Sequence, residues 1–268
     1  MLIHETVKFK EGSVLTKDML ESTYNYPHNF CDLYYSELSD GIIVGLTFFY
    51  DEENTLYLKK GIYKYNSKLY FLTYDYNLDK ELDNIDYQEG EEYLIVLEHK
   101  QCDNCANIFT DKLLPKIIKN TNEAYIVIGR FIYRKGIKPK LNYSCYNDFD
   151  DNNFIKIIEN SYANYNKPSL AKDIFYFFAI EMKNYSCNSI LSAFLVKALN
   201  YDFLSNDLLK NIFPEINLSS NIDTYNSLKN ILKKYKNNKK SMPDELQKDE
   251  KPPSKPTDGP EWSIRSIT

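Results

Sequence analysis

Glycine is scarce: eight residues in a chain of 268. That scarcity argues against glycine-rich phosphate loops and Rossmann-type turns, and no GxGxxG, GxxxxGKS/T or HExxH pattern occurs. Histidine is scarcer still, with His4, His28 and His99 alone, which leaves little material for acid–base pairs or multi-histidine metal sites. Long apolar runs are missing as well. The stretch 42–50 is broken by Gly45 and Thr47, and 174–180 is short; neither approaches the ~20 residues of a membrane-spanning helix. Met1-Leu2-Ile3-His4-Glu5 is not a basic segment followed by an apolar one, so no signal peptide is expected. Five cysteines are an odd number for a disulfide framework. They read as reduced thiols of a cytoplasmic protein. Basic surplus is also lacking, with 33 Lys and Arg against 38 Asp and Glu, a net charge of −5. Residues 1–150 carry net −7, residues 151–236 net +2, and the remainder is balanced. No segment has the basic footprint of a nucleic-acid binder.

What the chain does have is aromatic and aliphatic material in two different rhythms. Residues 1–149 read as a β domain. Strands are expected at 41–50, 55–60, 61–65, 68–76, 92–99 and 123–133, with period-2 alternation clearest in Ile62-Tyr63-Lys64-Tyr65. Asn66-Ser67 fits a tight hairpin turn. Short helices are expected at Lys17–Thr23 and near Asp111–Lys119 around Pro115. Antiparallel strands at roughly 10-residue spacing favour a sandwich over βαβ units.

From about residue 150 the apolar spacing becomes three and four. Phe154, Ile155, Ile157, Ile158 and Tyr162 form one stripe behind Asp150-Asp151, and further helices are expected from Pro168-Ser169, over 187–200, at 207–213 and over 220–236. Four principal amphipathic helices make a four-helix bundle over 150–236. Phe175, Phe177 and Phe178 cannot share one narrow seam, which implies apolar surface completed by copies of the same chain. Residues 237–268 are polar and proline-rich, and read as a disordered tail in which Trp262 is a candidate docking residue. The fold class expected is therefore α+β: an antiparallel β-sandwich, a four-helix bundle and a tail.

Chemistry-bearing patterns are few. His99-x-x-Cys102-x-x-Cys105, with His28-x-x-Cys31 as a second half-site, has zinc-ligand types, yet a lone CxxC is a weak signal. The acidic clusters at 51–53, 79–86 and 89–92 fall where turns are expected, so solvated loops are the simpler reading than a glycosidase carboxylate pair. Tyr24, Tyr26, Phe30, Tyr34 and Tyr35 crowd one short stretch and are a candidate interface. No catalytic residue, cofactor site or metal site is assigned.

The opening stretch Val7 to Leu20, with Phe9, Glu11, Gly12 and Leu15, resembles the start of the TssK family, the baseplate adaptors of type VI secretion systems. Gly45-Leu46, the stretch Leu58 to Leu72 with Gly61, and Ile126 to Tyr146 with Gly129-Arg130 and Leu141-Asn142-Tyr143 fit later parts of it. Lys17-Asp18-Met19 departs from the family's Pro-Gln-His segment. The resemblance implies a structural adaptor without catalysis: a shoulder domain, a helical neck that forms a homotrimer, and contact with baseplate wedge proteins through Phe9, Glu11, Gly12, Leu15, Met19 and Leu20. A membrane-docking head is implied too; only the tail stands in its place here, so a headless relative is expected, with docking to the membrane complex moved to Trp262. The alternative is a carbohydrate-binding or carbohydrate-active β domain using the loop aromatics and carboxylates.

Overall fold

The computed structural model describes residues 12, 14, 16–82, 87–105, 108–119, 125–185, 189–200 and 204–240, with the backbone alone at 101–105, 108–111, 189 and 238–240. It is a mixed α+β protein, with three small antiparallel sheets of three strands each and six α-helices among the described residues. Helix α1 (Lys17–Tyr34) leads into β1 (Gly41–Val44) and β2 (Phe48–Tyr50), which belong to different sheets. The single strand expected over 41–50 is cut in two by Gly45 and Leu46, both at positive φ. The glycine is required there: a Cβ on Gly45 would lie 2.0 Å from the Lys60 carbonyl oxygen, and one on Gly61 2.3 Å from that of Val44. Two backbones cross at this corner with no room for a side chain.

Strands β3 (Leu56–Leu58), β4 (Gly61–Tyr65), β5 (Lys68–Leu72) and β6 (Tyr76–Asn77) complete the first two sheets, in the orders β1-β4-β5 and β2-β3-β6. The β4–β5 hairpin turns on Asn66-Ser67 as expected, both residues at positive φ. After the single-turn α2 (Asp79–Leu82), a long hairpin of β7 (Glu92–Cys105) and β8 (Ile108–Lys119) joins β9 (Ile126–Ile132) in the order β8-β7-β9. The helix expected around Pro115 is thus a strand. Proline fits because β8 is an outer strand, where a missing N–H costs no ladder bond.

A second expectation fails at 150–162. A 3₁₀ turn spans Tyr146–Asp150, and the chain then runs extended, bridging Arg130 through Lys156 and Ile42 through Tyr162. Ile155 and Ile157 are buried while Lys156 between them is not, the alternation of a strand. Asp151, read as a helix start, accepts the Asn153 N–H through its own Oδ1 at 2.8 Å and so makes a local turn. The helices that do form are α3 (Lys172–Met182), α4 (Ser189–Leu199), the short α5 (Asn206–Ile212) and α6 (Asn221–Lys240). With the 154–162 stripe extended and α5 only seven residues long, the four-helix bundle is not what forms, and the strands do not make one two-sheet sandwich.

Apolar residues from both halves share a continuous core, from Ile42 and Ile95 to Phe178 and Leu232. Phe175, Phe177 and Phe178 are all buried inside this one chain, so the inference that they need sister subunits is corrected. Phe178, Phe194 and Phe213 meet edge-to-face with centroids 5.8–5.9 Å apart. Helix α6 is locked on by two tyrosines that exchange hydrogen bonds. The Tyr146 hydroxyl donates to the Tyr225 carbonyl at 3.0 Å and the Tyr225 hydroxyl to the Tyr146 carbonyl at 2.9 Å, with stacked rings. Tyr146→Phe and Tyr225→Phe should each cost about 1–2 kcal/mol in urea unfolding. The double variant should fall short of the sum, because the two bonds hold the same contact.

Candidate interaction surface

Helix α1 starts where Thr16 Oγ1 accepts the Met19 N–H at 3.3 Å, with Asp18 in the first turn. It continues past Pro27 to Tyr34, more than twice the length expected from the sequence, and none of its residues is buried. At 3.6 residues per turn, Met19, Thr23, Tyr26, Phe30 and Leu33 fall on one stripe. Leu20, Tyr24 and Tyr34 flank it, and Glu21, Asn25, His28 and Asp32 take the other side. Phe30 is 59% exposed, Leu33 75% and Tyr34 68%. An interior proline costs a helix about 3 kcal/mol, and no residue of α1 is buried to offset it. An exposed aromatic stripe on such a helix is a surface built for a partner.

The base of the helix is held from inside. Lys64 on β4 is only 5% exposed, and its Nζ donates to the carbonyl oxygens of Tyr35, Ser36 and Leu38 at 2.7, 3.2 and 2.5 Å. Those carbonyls close the C-terminal end of α1, where backbone dipoles accumulate negative charge. The same stretch is fastened twice more: Asp40 Oδ2 accepts the Asn66 N–H at 2.9 Å, and Ser39 N–H donates to the Asn164 carbonyl at 2.9 Å. The neighbouring Tyr63 phenol is pushed up by burial first and by Asp40 second.

The sequence-predicted site residues divide accordingly. Leu20 is exposed on α1 and Met19 half-buried; Gly12 is exposed at φ +79° with nothing around it. Phe9, Glu11, Leu15 and Trp262 lie outside the described residues. The aromatic stretch 24–35 is the part of the reading that α1 displays. His99, Cys102 and Cys105 share the continuous strand β7, whereas ligands three apart converge on zinc in a turn. His99 packs in a triangle with the rings of Tyr65 and Tyr70, 5.6 and 6.3 Å away. Among the described residues no group of three or more His, Cys, Asp or Glu is placed to hold a metal. Asp51 accepts the Thr55 N–H at 2.7 Å in the β2–β3 turn, Glu92 pairs with Arg130, and Glu91 with Lys119, so these carboxylates serve turns and strand edges. Lys64 has one signal in the sequence, a charge inside an alternating apolar run.

No family model matches the chain, and no curated protein matches it. The chain is similar to a solved structure, the crystal structure of TssK. The likeness covers 81% of this chain and 57% of that one, at 9% identity and a TM-score of 0.26. At that score it carries no argument, and the chain spans little more than half the length of that structure. Among the described residues no helix is long and apolar enough to cross a membrane.

Lys64→Met removes the clamp on the carbonyls of residues 35–38. It should cost about 1–3 kcal/mol in urea unfolding and speed proteolytic loss of residues 1–34, read by mass spectrometry. Unchanged cleavage would show that α1 is held some other way.

Proposed function

We propose that this chain is an assembly protein, a structural adaptor of a contractile injection, type VI secretion-like baseplate, and that it grips its partners through the segment leading into α1. The observation that carries the reading is α1 itself: eighteen residues, an aromatic stripe, and no residue buried. The baseplate assignment is finer and leans on the sequence alone, on the resemblance of Phe9, Glu11, Gly12 and Leu15 to the opening of the TssK family. In this reading the segment from Phe9 to Leu20 contacts wedge proteins, the chain self-associates as a homotrimer, and Trp262 in the tail reaches the membrane complex. The adaptor performs no catalytic step and works in the cytoplasm. Self-association through the C-terminal helices has less to work with than the three phenylalanines implied, namely the exposed Ile190, Val196 and Ile222.

Co-expression with baseplate wedge proteins tests the proposal. The full-length chain should co-purify with them, and Leu20→Asp, at an exposed position, should reduce recovery at least tenfold without shifting the thermal midpoint. Equal recovery of the variant contradicts the assignment of this segment.

A further inference from the structure

The outward face of one sheet lacks the polar side chains that solvent contact favours. In sheet β1-β4-β5, Ile62 on β4 lies opposite Phe71 on β5, Lys64 lies opposite Leu69, and Val44 on β1 lies opposite Ile62. Residues directly opposite share a face, so these side chains form one side of the sheet. The other side carries Ile42 and Tyr63, both in the core. On the outward side Val44 is 56% exposed and Phe71 57%, with Ile62 and Leu69 half-buried. Its one charge, Lys64, is occupied by the carbonyls of residues 35, 36 and 38. The solvated face of an antiparallel sheet normally turns polar; this one does not.

The same face holds the root of α1. Lys64 stands on this side and bonds the carbonyls that close the helix, so the apolar sheet face and the exposed helix meet at one clamp. Area decides whether the helix is enough for a partner by itself. Its eighteen residues make a rod about 27 Å long and about 11 Å across, whose apolar half presents roughly 470 Å². A stable interface takes roughly 800 Å² from each partner. The helix alone falls short by about 300 Å², and the uncovered sheet face that adjoins its root makes up the area. Charge sets the chemistry of what is bound. Asp18, Glu21 and Asp32 lie on the side of α1 away from Met19, Tyr26 and Phe30, and the sheet face has no free charge. Both surfaces therefore fit uncharged apolar side chains.

We propose that α1 and the outer face of β1-β4-β5 form one continuous docking surface, and that the partner held by α1 also covers Val44, Ile62, Leu69 and Phe71 with uncharged apolar side chains. This rests on the reading of α1 as the gripping element and extends its footprint onto the sheet. Contact on both sides of the Lys64 clamp fixes the partner's orientation, which a helix tethered at one end leaves free.

Full-length variants co-expressed with a baseplate wedge protein test the extension. Phe71→Glu and Val44→Glu, both at exposed positions, should each lower recovery of the wedge protein at least tenfold with the thermal midpoint unchanged. Ile137→Glu, at a position 63% exposed on a turn outside this sheet, should leave recovery as it is; an equal loss there overturns the proposal. Benzoylphenylalanine placed at position 71 reads the contact without an added charge, and on illumination should join the chain to the wedge protein. Loss of recovery in Leu20→Asp with full recovery in both sheet variants, or crosslinking from position 20 and none from 71, overturns the extension and leaves the α1 reading intact. Full recovery in Leu20→Asp contradicts the α1 reading and overturns both. Crosslinking from position 71 between two copies of this chain, with no wedge protein present, shows a second copy on the sheet face and also overturns the proposal.

Discussion

A buried ammonium needs hydrogen-bond acceptors wherever it sits, and Lys64 finds three in the carbonyls of residues 35, 36 and 38. The geometry holds only while the chain after α1 wraps around Nζ. That wrap sets the point at which α1 leaves the body, and with it the fate of the aromatic stripe. The helix is tethered by its end and not by its side. Its apolar face therefore stays turned outward, and the interaction surface follows from where one charge is buried. Removing the charge frees the base; removing the stripe leaves a tethered helix with nothing to bind.

The body that carries this tether is made from both halves of the sequence. The extended segment after residue 150 laces β9 and β1 together through Lys156 and Tyr162, and the reciprocal Tyr146–Tyr225 bonds dock α6 against the 3₁₀ turn at the start of that segment. Leu38, at the Lys64 clamp, also bridges Tyr165. Sheet, lacing segment and helix base thus constrain one another, and the three phenylalanines of α3 are consumed by this internal packing.

Much of the architecture was legible from residues alone. The positive-φ Asn66-Ser67 turn, the alternation in β4 and the threefold and fourfold spacing of α3, α4 and α6 follow from local stereochemistry. The failures are tertiary. Phe154 to Tyr162 has helical spacing, yet Ile155 and Ile157 are drawn to the core in alternation because the edges of β9 and β1 lie beside them. Pro115 looks like a breaker until β8 proves to be an outer strand. Pro27 and the polar residues between the tyrosines shorten any expectation for α1, and no local rule supplies Lys64, 26 to 29 residues further on, to hold its end. The crowding of Tyr24 to Tyr35 was the part of the interaction surface that sequence could reveal.

The central claim is that α1 is displayed for a partner. Hydrogen–deuterium exchange of the full chain, alone and co-purified with wedge protein, addresses it directly. Amides of residues 24–34 should exchange rapidly in the chain alone and slow at least tenfold in the complex, while those of β7 stay constant. Exchange in α1 that is the same in the two samples would mean that no partner covers the helix, and the account would be wrong.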